Sequence, residues 1–344
     1  MAEASRGPGA AIALTCQGTT TTLCLGHTDR TRHTPVTAHT RFEIGSVTKT
    51  FTALLAATLA ADGTIDLDRP LADHIPALLP KEPHARRITA RHLAIHTSGL
   101  PRLPPGLLRR ALPHWYTNPY QSYTPDHLAT LLPRTRLRHP PGRRTRYSNL
   151  GVGLLGHYLT HITGVPYPTL LHQRVLRPLG LTQTDDQPRE QATGHYRGRP
   201  CPPWLIPALP AAGALRSSTH DLLHYLCRLL DPSTAAPASL ATGLRTVLHP
   251  GPGQEPLVWF RRTAHGYPLY FHAGGTRGHT AFIGLLPHQQ VTLTALTNSG
   301  APTNRRFAQA AYALLYHHCG GIGSESAGSR SAATEAPARP AGQS

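Results

Sequence analysis

Gly45-Ser46-Val47-Thr48-Lys49-Thr50-Phe51-Thr52-Ala53-Leu54-Leu55 is the stretch on which the fold and chemistry of this chain turn. Lys49 stands three residues after Ser46, and it is one of only two lysines among 34 basic positions, Lys81 being the other. A coding preference for arginine explains the remainder, since a guanidinium serves a solvated surface as well as an ammonium does. It does not serve where an amine must give up its proton, because arginine stays charged in any protein while lysine shifts readily on burial. A lysine kept one helical turn from a serine therefore points to an activated nucleophile. Val47, Phe51, Leu54, Leu55 and Leu59 fall at helical spacing, with the helix running over Thr50 to Asp62 and Gly63 as its stop. Residues three apart share a face. A serine in the first turn also feels the positive end of the helix dipole, which favours developing negative charge. Spacing alone carries little: fifteen serines and two lysines in 344 residues give a chance Ser-x-x-Lys about one time in ten. A capping serine followed by an exposed lysine is the plain alternative.

The composition is that of a globular protein, with 39% hydrophobic residues and enough length for a large core. A formal charge of +17 invites a nucleic-acid reading, yet the arginines are scattered and no zinc-finger spacing, basic zipper or basic arm accompanies them. What remains is an attraction for acidic small molecules or an acidic protein partner. The five cysteines, at 16, 24, 201, 227 and 319, form no Cys-x-x-Cys pair. A turn at Gln17-Gly18 would set Cys16 opposite Thr19 and Cys24 opposite Ala11, too far apart to bridge. Reduced thiols, a start without signal-peptide character and no apolar run of about 20 residues together predict a cytoplasmic protein that does not enter a membrane. The histidine pairs His157/His161 and His220/His224 lack the glutamate of a zinc motif, and no phosphate-binding or dinucleotide-binding loop is present. Neither metal nor cofactor is expected.

Strand and helix signals alternate unevenly along the chain. Ala10 to Gly26 reads as a hairpin. Leu257–Arg262, Tyr267–His272, Thr280–Leu286 and Val291–Thr297 read as further strands, and Asn304–His318 as an amphipathic helix. Between them the pattern is helical and loop-rich, with clear helices at Leu150–Thr163 and Thr219–Leu230. Pro101 to Tyr123 reads as a long loop carrying Trp115, Tyr116, Tyr120 and Tyr123, either one wall of a substrate pocket or aromatic packing of the loop onto the body. The expected fold is α+β: an antiparallel sheet built from both chain ends and flanked by helices, with an inserted, mainly helical subdomain. The boundaries are 8–318 for one catalytic domain, with an α/β part at about 8–70 and 240–318 and the helical insertion at about 71–239. A disordered tail rich in small and polar residues occupies 319–344.

Two further motifs fit the Ser46–Lys49 hypothesis. Tyr147-Ser148-Asn149 follows a Pro-Gly loop and opens a helix, setting a phenol able to transfer a proton beside an amide that bonds both ways. His272-Ala273-Gly274-Gly275 closes a strand, where glycine lets a substrate approach the backbone and leaves an N–H free for an oxyanion.

Taken in order, Ser46-x-x-Lys49, Tyr147-x-Asn149 and His272-x-Gly274 resemble the three signatures of the penicillin-binding protein and serine β-lactamase superfamily. The class C β-lactamase-like hydrolases, with D-alanyl-D-alanine carboxypeptidase and esterase relatives, are the nearest subgroup. Phe42–Gly45, His96–Leu100, Arg177–Leu181 and Ala211–Ser218 add to the likeness, which covers roughly residues 8 to 318. The resemblance implies that Ser46 is acylated, that Lys49 takes its proton and that Tyr147 protonates the leaving group. Asn149 would hold Lys49 and the acyl side of the substrate, and the N–H groups of Ser46 and Gly275 would form the oxyanion hole. Lys49 would have to fall from about 10.4 toward 7, roughly 4 to 5 kcal/mol against the charged amine, supplied by burial and aided by a protonated His272. Relatives often carry threonine where Ala273 stands, so a substrate carboxylate would fall to Thr276 or Arg277, with Gly274, Trp115 and Tyr120 completing the substrate site. The implied function is hydrolysis of an ester, amide or peptide bond in a small-molecule or peptide substrate. Two rivals stand beside it: a carrier-linked peptide thioesterase or cyclase, whose acidic carrier protein would suit the positive charge, and an acylated sensor or scaffold without turnover.

Overall fold

The N-terminal hairpin forms as its residues dictate. β1 (Gly9–Cys16) and β2 (Thr19–Gly26) meet at Gln17 and Gly18, whose φ angles of 47° and 83° give the turn that matches strand twist. Cys16 faces Thr19 and Cys24 faces Ala11, and both are free thiols. In this computed structural model residues 9–29, 31, 33–249, 251–300 and 304–318 are described. The expected tail at 319–344, with Cys319, lies outside the described residues, as does residue 8.

β3 (Phe42–Glu43) and β6 (Arg216–Ser217) pair in a two-stranded sheet of their own, and β4 (His195–Tyr196) and β5 (Arg199–Pro200) form a short ribbon. The C-terminal strands are β7 (Phe260–Ala264), β8 (Tyr267–Gly275), β9 (Thr280–Leu286) and β10 (Val291–Thr297). The main sheet is antiparallel throughout, in the order β2-β1-β10-β9-β8-β7, so both chain ends build it. Two of these strands depart from their expected ranges: β8 runs on from His272 to Gly275, and β7 begins at Phe260 rather than Leu257. Leu257, Val258 and Trp259 leave the sheet for the helical core, where the Val258 N–H donates to Ala94 O (2.9 Å) and Val258 takes φ 68°.

Ten α-helices accompany the strands among the described residues: α1 (Thr48–Ala61), α2 (Ala90–Ala94), α3 (Leu107–Ala111), α4 (Pro125–Leu131), α5 (Asn149–Thr163), α6 (Tyr167–Leu171), α7 (Pro210–Gly213), α8 (Thr219–Leu230), α9 (Ala238–Leu248) and α10 (Asn304–His317). The Pro101–Tyr123 segment, expected as loop, contains α3, whose Leu107 and Ala111 are buried. Alternation along the strands feeds two cores. Ala10, Ile12, Phe282, Leu293 and Ala295 meet Phe307, Ala311 and Leu315 of α10, while Ala11, Ile283, Leu285 and Leu296 enter the larger core with α1 and α8.

α1 sits inside that larger core and is buried from Thr48 to Leu59, on every side rather than along one stripe. Two of its threonines are hydrogen-bonded to backbone carbonyls, Thr50 Oγ1 donating to Val47 O (2.9 Å) and Thr52 Oγ1 to Ala211 O (2.7 Å), whereas Thr58 Oγ1 is buried without a partner. α9 approaches it through Gly243, where a Cβ would meet Thr58 Oγ1 at 2.7 Å and Thr58 N at 3.0 Å. Gly243→Leu should therefore push α9 off α1 and cost about 2 to 3 kcal/mol, seen as a lower urea midpoint. An unchanged midpoint would mean that this close approach is not made.

Candidate active site

Ser46 sits in a tight turn, Gly45–Val47, that leads into α1 rather than in the first turn of the helix itself. The turn is formed because Gly45 adopts φ 49° and lies against β8, where a Cβ on Gly45 would meet the Gly275 backbone at 2.7 to 2.9 Å. From the other side, a Cβ on Gly274 would strike Ile44 O at 2.0 Å. Two glycines thus let a strand end and the serine turn touch backbone to backbone.

The register of β8 decides which of its N–H groups is free. The Thr276 N–H donates to His279 O (3.0 Å) and Gly275 faces Thr280. In an antiparallel ladder successive residues bond to alternate sides, so the Gly275 N–H points away from β9. β7, which would otherwise take it, stops at Phe260 opposite Phe271. The Gly275 N–H therefore lies on an open strand edge beside Ser46.

Lys49 is fully buried, and its Nζ lies 2.9 Å from Ser46 Oγ and donates to Ala212 O at 2.6 Å. Among the described residues no carboxylate pairs with it. Burial holds this amine well below its ordinary value of 10.5, and the Arg102 guanidinium pushes it further in the same direction. The Tyr147 hydroxyl hydrogen-bonds to Ser46, and its ring centroid lies 5.1 Å from Lys49 Nζ. Burial raises this phenol to about 12, against smaller opposing effects of Ser46 and Arg102. One oxygen therefore meets an amine pushed toward its neutral form and a phenol held in its protonated form.

Asn149 opens α5 behind the Ser148 cap, whose Oγ accepts from the Gly151 N–H at 2.9 Å. Its side chain does not reach Lys49 as expected: Nδ2 donates to the Tyr120 hydroxyl (3.0 Å), and Oδ1 is buried without a partner. The amine is held instead by the Ala212 carbonyl. His272 also differs from expectation. It is fully buried, its Nδ1 lies 3.1 Å from Ala273 O, and its Nε2 has no partner. Burial first, then repulsion from Lys49 and His96, holds it well below 6.5, so it is neutral and cannot be the cation that discharges Lys49. Arg102 has that position.

A cavity of about 500 Å³ opens over these groups, lined by Ser46, Arg102, Tyr147, Asn149, Phe260, Ala273, Gly274, Gly275 and Arg305 among others. Four expected substrate contacts lie elsewhere. Thr276 Oγ1 donates to Glu43 Oε2 (2.6 Å), Arg277 bonds the Trp115 carbonyl and sits 5.0 Å from the Tyr196 ring centroid, the Trp115 ring does not line the cavity, and Tyr120 is buried behind Asn149. Arg102, Arg305 and Phe260 were not anticipated. Only Arg102 had a signal, standing two residues beyond the His96–Leu100 segment.

Glu43 anchors the far end of the site. It is 3% exposed and takes hydrogen bonds from Thr276 Oγ1 (2.6 Å), the Trp204 N–H (2.6 Å) and Gln191 Nε2 (3.1 Å), with His279 Nδ1 at 3.0 Å and the Arg216 guanidinium at 3.7 Å. These tie the β8–β9 turn to β3, immediately before the serine.

Fold and site together define a serine hydrolase of the acyl-enzyme class. The Beta-lactamase family model matches residues 1–318, and the chain belongs to the beta-lactamase family. It is 28% identical over 349 residues to a beta-lactamase of Pseudomonas fluorescens, covering 89% of this chain and 92% of that one. To the D-alanyl-D-alanine-carboxypeptidase/endopeptidase AmpH of Escherichia coli it is 29% identical over 214 residues, 60% of this chain and about half (53%) of that protein's length. A solved class C beta lactamase from Rhodobacter sphaeroides has the same fold, with TM-score 0.75 over 92% of this chain and 96% of that one at 24% identity.

Burial alone would raise the Glu43 carboxyl, but His279, Thr276 and the Trp204 N–H outweigh it and hold the group at about 2, below its ordinary 4.5. A carboxyl depressed on folding stabilises above its unfolded value and loses that contribution as pH falls through its folded value. Glu43 should thus contribute up to about 3 kcal/mol above pH 5 and almost nothing near pH 2. In urea denaturation, the stability gap between the parent and Glu43→Gln should close over that window; a gap independent of pH would refute the assignment.

Proposed function

We propose that Ser46 is the acylated nucleophile, Lys49 its general base and Tyr147 the acid that protonates the leaving group, in one catalytic domain spanning about residues 8–318. The single observation that carries the reading is the Ser46 hydroxyl itself, 2.9 Å from a buried amine without a counter-charge and hydrogen-bonded to a protonated phenol. A neutral amine has a lone pair to accept the serine proton as Oγ attacks the acyl carbon. The proton is then relayed through Tyr147 to the departing oxygen or nitrogen, and water reverses the sequence to release the acid. The N–H groups of Ser46 and Gly275 would hold the oxyanion, and each such donor is worth about 3 kcal/mol of barrier.

The substrate reading is a small-molecule or peptide acyl compound, supported by relatives named as a beta-lactamase and a carboxypeptidase/endopeptidase. The buried, unpartnered Asn149 Oδ1 suits an N–H on the acyl side. With Thr276 engaged by Glu43 and Arg277 by Trp115, an anionic group on the substrate at this cavity falls to Arg305 rather than to either of them. The relatives do not favour a carrier-linked thioesterase or a silent scaffold. Four free thiols, Cys16, Cys24, Cys201 and Cys227, support placing the protein in the cytoplasm.

A fluorophosphonate probe should label the parent and fail on Ser46→Ala; persistent labelling would move the nucleophile elsewhere. Lys49→Arg keeps the charge but not the lone pair, and together with Tyr147→Phe it should lower kcat/KM for 4-nitrophenyl butyrate by about 10²–10⁴ each. Because the amine must be neutral and the phenol protonated, kcat/KM should fall on the acid side as Lys49 takes up a proton. It should fall on the alkaline side only as pH approaches the phenol value of about 12. An acid limb that survives in Lys49→Arg would sink the base assignment.

A further inference from the structure

Beside the reactive cavity lies a larger cleft of about 900 Å³ that the acylation chemistry does not use. One wall is Pro101–Arg109, and the facing wall comprises Leu131, residues 134–138 and Arg146. The second wall is secured to the segment below Tyr147: the Arg138 N–H donates to Gly99 O (2.7 Å) and the Arg146 N–H to His96 O (2.8 Å). Gly99, at φ 80°, makes this approach possible, since a Cβ there would lie 2.1 Å from His139 O.

Six arginines line the cleft: Arg102, Arg109, Arg134, Arg136, Arg138 and Arg146. No aspartate or glutamate lines it among the described residues. Several arginines elsewhere in the chain do pair with acids, as in Arg41–Asp185, Arg91–Asp68, Arg174–Asp62 and Arg216–Glu43. None of the six in the cleft has an ion pair among the described residues. Glu82 touches this wall from behind, its carboxylate accepting from the Leu137 N–H at 3.2 Å. Six like charges around a concavity repel one another and focus a positive potential into it, and an anion relieves both. Guanidinium groups suit phosphate and carboxylate oxygens in particular, which they grip two at a time.

The cleft is also continuous with the chemistry. Arg102 lines both it and the cavity over Ser46, and its guanidinium lies 5.6 Å from the Tyr147 ring centroid. We propose that this arginine cleft is a substrate subsite that binds the polyanionic end, bearing clustered phosphates or carboxylates, of an acyl compound whose reactive carbonyl rests on Ser46. The proposal deepens the acyl-hydrolase reading and rests on it for the link to Ser46, whereas anion binding by the cleft stands apart from turnover.

The test uses the full chain in two forms. In Ser46→Ala, isothermal titration calorimetry measures binding of tripolyphosphate and of citrate. The parent cleft is compared with Arg109→Gln/Arg134→Gln/Arg136→Gln and with a control of equal charge change on other surfaces, Arg86→Gln/Arg87→Gln/Arg199→Gln. The cleft triple should weaken binding about tenfold or more and the control less than about threefold, with the tighter probe naming the anion. No binding of either probe to the parent, or equal losses in the two triples, overturns the proposal. Arg136→Gln alone, should the cleft triple not fold, should lose about threefold. In the intact enzyme, the cleft triple should raise KM about tenfold for the 4-nitrophenyl ester of a tricarboxylic acid, leaving its kcat and the kinetics of 4-nitrophenyl butyrate unchanged. Equal effects on both esters overturn the link to Ser46. If the parent turns over neither ester, the hydrolase reading has failed, and calorimetry alone decides the cleft.

Discussion

Everything in this molecule that bears on chemistry depends on an amine buried without a counter-charge. An ammonium taken from water into an apolar interior is so costly that the group sheds its proton instead. Lys49 is enclosed by α1, α7 and the residues around Tyr147, and the two atoms that hold it, Ser46 Oγ and Ala212 O, are neutral. An aspartate in the place of Ala212 O would restore the charge and remove the base. If Lys49 is the base proposed above, the core that encloses α1 on all sides is part of the catalytic apparatus, since a half-exposed lysine at the same spacing would stay protonated at neutral pH.

A second constraint is steric. The serine turn and the end of β8 can touch only because Gly45 and Gly274 have no side chains to intervene. That contact sets the open Gly275 N–H next to Ser46, and Glu43 fixes it from behind by gripping Thr276 and Trp204. Position in such a site is worth as much as chemical identity, because displacement of an oxyanion donor by an ångström forfeits most of its effect.

Much of this was legible in the sequence because it rests on local rules. The hairpin turn, the ranges of α8, β9 and β10, and the shared face of Ser46 and Lys49 follow from turn chemistry and periodicity. The misplaced contacts have a different cause. Thr276 and Arg277 stand where a substrate-binding side chain would be useful, yet their partners, Glu43 and the Trp115 carbonyl, are 233 and 162 residues away along the chain. Periodicity carries no information about such pairings. The same holds for His272, whose neutrality is a property of its burial, and for Asn149, whose amide is drawn to Tyr120 by the packing of the Pro101–Tyr123 segment.

The positive charge of the chain acquires a function through Arg102. Its guanidinium pushes Lys49 toward the neutral form and at the same time faces the cavity that receives the substrate. Those two roles oppose each other, because an anion resting directly on Arg102 would cancel part of its field at Lys49 and let the amine regain its proton. A negatively charged substrate group is better accommodated farther out, on arginines that do not bear on Lys49. Arg109, Arg134 and Arg136 are arginines of that kind in the adjoining cleft, and none of them contributes to the shift of Lys49. On the proposed reading, the charges that attract a substrate are separate from the charge that keeps the base active.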